Sequence, residues 1–230
     1  MSKRIWRSEM VSDFLCPVAG RVWGRWRWFN AGAWPFGADG GVDIPFRQCL
    51  TGGNVRWTTQ FGTSGDDAAT GVTVTPAGEV TVCGYTNGTF AGAASAGGTD
   101  IFVARFAAAM GNVLISPVQV SSAGNDFANA VTADGGTGEF YVTGFTDGTL
   151  PGAASAGGTD ALLVKFALDG TPVWIRQFGT SSNDRGFNTV YVSATSRVHV
   201  AGETFGGLDG RGGSSDAFLT VHDSVTGNRL

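Results

Sequence analysis

Nine residues, GAASAGGTD, stand at 92–100 and return letter for letter at 152–160. A word of that length repeated at a fixed distance is the mark of an array built from one supersecondary unit. Looser echoes at Gly40-Gly41-Val42-Asp43 and Gly213-Ser214-Ser215-Asp216 extend the series. With the closing aspartate as marker, the copies fall at Asp43, Asp100, Asp160 and Asp216, spaced 57, 60 and 56 residues apart.

Each marker leads into a short apolar run: Ile101–Phe106, Ala161–Phe166 and Ala217–His222. Runs of this length, apolar at nearly every position, read as strands covered on both faces. Turns follow at Gly111-Asn112, Asp169-Gly170 and Gly227-Asn228. A second strand then appears as Val55–Gly62 and Val173–Gly179, each with a tryptophan (Trp57, Trp174) three residues before a glutamine. Its middle copy, Leu114–Val120, has Ser116 in the tryptophan's place by simple count and carries Pro117. Proline removes a ladder donor, so this copy belongs at a sheet edge.

Polar turns ending in Asp67, Asp126 and Asp184 lead to two more strands per period. The last of these reads Val80–Thr86, Phe140–Thr146 and Val198–Thr204. Four short strands per period predict an all-β chain, a beta-propeller-like array of four-stranded antiparallel blades in which each sheet is buried only by its neighbours. The count is two strands, then four, four and three. That describes a partial or open array of three to four blades. The alternatives are a piece of a longer array, an open arc, an assembly of chains, or a tight ring of about four blades. Open blade edges predict self-association.

Residues 1–37 differ from the rest. They hold five of the seven tryptophans and six basic residues against two acidic ones. No strand or helix period organises them, and the pattern lacks the clean apolar run of an export signal. They read as a leader outside the fold or a non-native start, with an aromatic, cationic membrane-surface segment as the alternative. The repeat region occupies 38–230, where nine basic residues face seventeen acidic ones, a balance that argues against nucleic acid. No run of about 18 apolar residues suggests a membrane span. Three cysteines (Cys16, Cys49, Cys83) without close spacing suit neither a disulfide framework nor a zinc site, and Cys83 reads as a core residue.

The words W-x-x-Q-F-G-T-S-x-x-D, Y-V-T-G-x-T-x-G-T and P-G-A-A-S-A-G-G-T-D-A, clearest between Phe140 and Gly179, resemble the bacterial beta-propeller repeat known as the SBBP repeat. The resemblance runs from about Gly40 to the C-terminus. It implies a propeller found in large secreted or surface-attached bacterial proteins, hence an extracellular or cell-surface interaction or adhesion module with a protein or glycan partner. It implies no known reaction and no catalytic residues.

The residues themselves suggest little catalysis. Asp67, Asp126 and Asp184, at one place in each period, are the candidate metal ligands, with Asp66, Asn125 and Asn183 beside them and calcium as the ion. The better reading is that each carboxylate accepts backbone N–H bonds and fixes its turn. Arg105 and Lys165 occupy equal positions and could pair with the marker aspartates. His199 and His222 have no nucleophile or orienting acid in sight. Trp57 and Trp174 could stack on a sugar, but reads as fillers between strands are simpler. The expectation is a non-enzymatic scaffold without a cofactor, with a calcium-stabilised or carbohydrate-binding propeller as the alternative and a remnant of a propeller enzyme behind it.

Overall fold

The computed structural model describes the backbone of residues 44–49 and the whole of residues 55–208, 210 and 214–230. The expectations for 1–37, Asp43, Cys16 and the Cys49 side chain lie outside the described residues. The described chain is all-β. It has thirteen strands: β1 (Ile44–Cys49), β2 (Val55–Phe61), β3 (Asp67–Val74), β4 (Val80–Thr86), β5 (Asp100–Phe106), β6 (Val113–Val120), β7 (Asp126–Ala133), β8 (Phe140–Thr146), β9 (Asp160–Phe166), β10 (Pro172–Phe178), β11 (Asp184–Val192), β12 (Arg197–Thr204) and β13 (Asp216–Asp223).

They form antiparallel meanders. β1 pairs with β2, β3 to β6 make one four-stranded sheet, β7 to β10 a second, and β11 to β13 a three-stranded third. The markers Asp100 and Asp160 therefore open the third strand of a sheet, and the three larger sheets themselves begin at Asp67, Asp126 and Asp184. The two whole strands after the repeated word, β5 and β9, are buried at every position, as their unbroken apolarity requires.

Successive sheets pack face against face. Ile101, Val103 and Cys83 of the first four-stranded sheet meet Phe140, Val142, Leu162 and Val164 of the second. Tyr141 and Leu163 on the second sheet's other face meet Val198 and Val200 of the third. Trp57 and Phe61 of β2 cover Val82, Phe102 and Phe106. No sheet could bury both faces alone, so the core is made of seams between units.

Two details correct the residue-by-residue alignment. β6 is indeed an edge strand, but it is bulged: Val118 pairs with Val103 and Ile115 with Arg105, leaving Ser116 and Pro117 out of register. Ile115 thus stands where Trp174 stands opposite Lys165, and Ser116 does not replace the tryptophan. A one-residue bulge shifts which side chain reaches the core, and proline without its N–H is where the ladder gives way. Arg105 and Lys165 do hold equal positions, but their acids are Glu79 at 3.7 Å and Glu139 at 2.8 Å, not the markers. The buried Arg105 guanidinium also donates to the Leu168 and Gly138 carbonyls of the next sheet, at 3.3 and 2.7 Å.

A second kind of bulge recurs in the first strand of each of the three larger sheets, between Ala69 and Gly71, Ala128 and Ala130, and Gly186 and Asn188. The extra residue is turned toward the next unit. Thr70 Oγ1 donates to the Ala128 carbonyl at 2.6 Å, and Asn129 Nδ2 to the Gly186 carbonyl at 2.7 Å. The third such residue is Phe187, which is half exposed.

Candidate functional site

The rim that carries the repeated word holds a recurring polar network. Each GGTD loop crosses the turn that opens the next sheet. Thr99 N–H donates to Asn125 Oδ1 at 3.2 Å, and Asp126 N–H donates to the Thr99 carbonyl at 2.6 Å. The second copy repeats both bonds, Thr159 to Asn183 Oδ1 at 3.0 Å and Asp184 to the Thr159 carbonyl at 2.6 Å. Glycine is required where the loop lies on that turn: a Cβ at Gly157 would stand 2.4 Å from Ser181 Cα.

The three candidate carboxylates occupy equivalent buried places. Asp67, Asp126 and Asp184 accept, each at 2.6 Å, the N–H of Thr63, Ser122 and Thr180 four residues earlier. The hydroxyls of those residues donate to the same carboxylates at 3.1, 2.9 and 2.9 Å. For Asp126, Thr146 Oγ1 adds a bond to Oδ1 at 2.5 Å. Their polar neighbours Asn125 and Asn183 are engaged by the crossing loop, and Asp66 is exposed.

The structure brings together a pair that sequence counting keeps in separate words. The marker aspartate of one sheet lies beside the turn aspartate of the next. The charge of Asp100 contributes to raising the Asp126 carboxyl above its usual range, after burial, which is the larger cause. Burial also raises Asp100, against hydrogen bonds from Ser95 and Gln119. Asp160 and Asp184 approach across Gly179: a Cβ there would stand 2.6 Å from Asp184 Oδ2 and 2.8 Å from Asp160 Oδ1. Asp100 Oδ1, Asp160 Oδ1 and Asp184 Oδ1 are buried without a hydrogen-bond partner among the described residues.

The markers are further held by a glutamine. Gln119 and Gln177 each reach three groups: the marker carboxylate, a loop carbonyl (Gly88 or Gly148) and a loop N–H (Phe90 or Leu150). This role of the Gln in W-x-x-Q-F was not read from the sequence, although its fixed place in the word was the signal for it.

The remaining candidates are packing groups. His222 is buried against Phe178, with Nδ1 3.1 Å from the Gly227 carbonyl and Nε2 3.1 Å from Thr220 Oγ1, and burial lowers its pKa. Trp57 is buried and donates to the Ala108 carbonyl at 3.1 Å. Trp174 is half-buried between Tyr141 and Arg176. Among the described residues no three His, Cys, Asp or Glu side chains converge as a metal cluster, and no helix is long and apolar enough to cross a membrane.

The third sheet ends in a bare face. In the second sheet the cross-strand rows Thr132–Tyr141–Lys165 and Ala130–Thr143–Leu163 point to the third sheet. The equivalent rows in the third are Val190–His199–Val221 and Asn188–Ala201–Leu219. Leu163 is 0% exposed and Leu219 is 68% exposed. Val190 and Phe187 are also exposed, and the buried Lys165 is replaced by Val221. No protein-family model matches the chain, and no curated protein is similar to it.

Proposed function

We propose that the chain is a non-catalytic repeat scaffold of beta-propeller type, an extracellular or surface module of the kind the SBBP resemblance implies, that works by docking through the outer face of its third sheet. The observation that carries this reading is Leu219, open to solvent at a position that is sealed one sheet earlier. Phe187, Val190, Ala201 and Val221 stand around it together with the polar Asn188 and His199, where Asn129, Thr132, Thr143 and Lys165 stand at the first four positions one sheet earlier. Repeat units that face solvent keep that face polar. An apolar one fits a partner.

The partner is a second copy of this chain, seated two-fold so that both end faces cover one another. The opposite end suits the face less well, because Arg56 and Thr58 of β2 are polar and exposed there. The packing of Tyr141 and Leu163 on Val198 and Val200 provides the template for such a seam. Sedimentation equilibrium tests it. The wild type should be a dimer and Leu219→Glu a monomer with the same far-UV spectrum. A wild type that stays monomeric at every concentration would remove this reading.

A further inference from the structure

The third sheet shows the start of a fourth strand and then an open edge. Its closing turn is the one the second sheet uses: Asp223 N–H donates to the Asn228 carbonyl at 2.9 Å, as Ala167 N–H does to the Thr171 carbonyl. Arg229 then faces His222, and Leu230 N–H donates to the Val221 carbonyl at 2.9 Å. This matches Pro172 facing Phe166, where β10 begins. Main-chain groups alternate sides along an antiparallel strand, so those of Ala217 and Leu219 point the same way as those of Val221. Among the described residues, none pairs with them.

The other fourth-strand edges are guarded. β6 carries Pro117, β10 carries Pro172 and Arg176, and β2 carries Arg56. Proline and charge keep an exposed edge from pairing with another chain. Ala217 to Val221 hold neither.

The groups that a fourth strand satisfies are also left open. In the second sheet Gln177 of β10 reaches Asp160, the Gly148 carbonyl and the Leu150 N–H. Thr204 pairs with Asp216 as Thr146 pairs with Asp160, so the equivalents are Asp216, Gly206 and Leu208. Asp160 is buried, whereas Asp216 is open to solvent. Neither the Asp216 carboxylate nor the Leu208 N–H has a hydrogen-bond partner among the described residues. The Gly206 carbonyl takes the Thr204 hydroxyl at 3.2 Å, whereas the matching Thr146 hydroxyl donates to Asp126.

We propose that the edge of β13 is a strand-acceptor site for a separate polypeptide bearing the chain's own fourth-strand word, W-x-x-Q-F. The partner strand adds antiparallel opposite Ala217 to Val221, and its main chain meets the free N–H and C=O groups. Its glutamine bridges Asp216, Gly206 and Leu208 as Gln177 bridges their counterparts. Its tryptophan falls opposite Val221, as Trp174 falls opposite Lys165. The site uses the edge of the strand and not the face around Leu219, so it stands apart from the two-fold dimer.

The test is fluorescence anisotropy of a labelled peptide, WIRQFGT, copied from Trp174–Thr180 and titrated with the full chain. The peptide begins at the tryptophan because Arg229 and Leu230 already fill the places of Pro172 and Val173. Binding should saturate with a Kd below about 1 mM. A peptide with leucine for its glutamine should bind at least about fivefold more weakly, since it leaves the bridged groups unpaired. N-methylation of the peptide's alternate backbone amides should abolish binding. Bound peptide should slow amide exchange at Ala217, Leu219 and Val221. No saturable binding, equal binding by the leucine peptide, or protection confined to other residues would overturn the proposal. So would slow exchange at Ala217 and Leu219 in the free chain, because another segment would then already cover the edge.

Discussion

Gln177 Nε2 donates to Asp160 Oδ2 at 2.8 Å, and Gln119 Nε2 repeats the bond to Asp100 at 3.0 Å one period earlier. The fourth strand of each complete sheet thereby holds the marker loop of the third. Replacing Gln177 with leucine leaves a buried carboxylate oxygen short of a donor and strands the Gly148 carbonyl and the Leu150 N–H. Such losses cost about 1–3 kcal/mol. Urea unfolding of Gln177→Leu should show a lower midpoint with an unchanged slope, and faster amide exchange at Leu150.

Gly144 should tolerate no side chain. A Cβ there would stand 1.8 Å from the Phe127 carbonyl oxygen, and Gly84 and Gly202 meet Ala68 and Arg185 in the same way at 1.9 and 2.0 Å. The clash is with backbone at the bulge, which cannot rotate away. Gly144→Ala should cost about 3 kcal/mol, the upper range for overpacking. Chemical denaturation beside Ser155→Ala, an exposed change in the same sheet's loop, gives the comparison.

Cys83 should be silent to thiol reagents in the folded chain. It is fully buried, and burial pushes its pKa up to about 12, so thiolate is scarce even where reagent could enter. In a Cys16→Ser/Cys49→Ser background, labelling should occur only on unfolding, at a rate that follows denaturant. Rapid labelling in native buffer would mean that the seam under Cys83 is open.

Asp100 gives a pH signature. Its carboxyl is raised above the ordinary 3.8, chiefly by burial. An acid whose folded pKa is raised favours folding below the unfolded value and loses that contribution as pH rises through the folded one. Asp100→Asn has no such proton to lose. Its unfolding midpoint should therefore improve relative to the wild type between pH 4 and pH 7. Parallel pH profiles would contradict this.

Much of the architecture was legible because turns and strands recur in identical letters. The repeat period, the strand boundaries near Ile101–Phe106 and Ala161–Phe166, the core place of Cys83 and the edge place of β6 all follow from local chemistry. What stayed hidden depends on register and on neighbours. Counting put Ser116 in the tryptophan's place because a bulge adds a residue without leaving a gap in the letters. Arg105 was matched to the marker acids because only pairing shows that Glu79 lies across the strand. The turn carboxylates were expected to accept backbone N–H bonds, and Asp67, Asp126 and Asp184 do. Their approach to the markers was invisible, since Asp160 and Asp184 belong to different sheets. Likewise nothing local distinguishes Leu219 from Leu163.

Those two leucines test the central claim, that this chain's core exists only where one sheet lies on the next. The measurement is equilibrium unfolding of Leu163→Ala and Leu219→Ala, in dilute solution where the chain is monomeric. Leu163→Ala should cost about 2–5 kcal/mol, the range for a buried leucine. Leu219→Ala should stay within about 0.5 kcal/mol, as an exposed site does. Equal losses at the two positions would contradict the account.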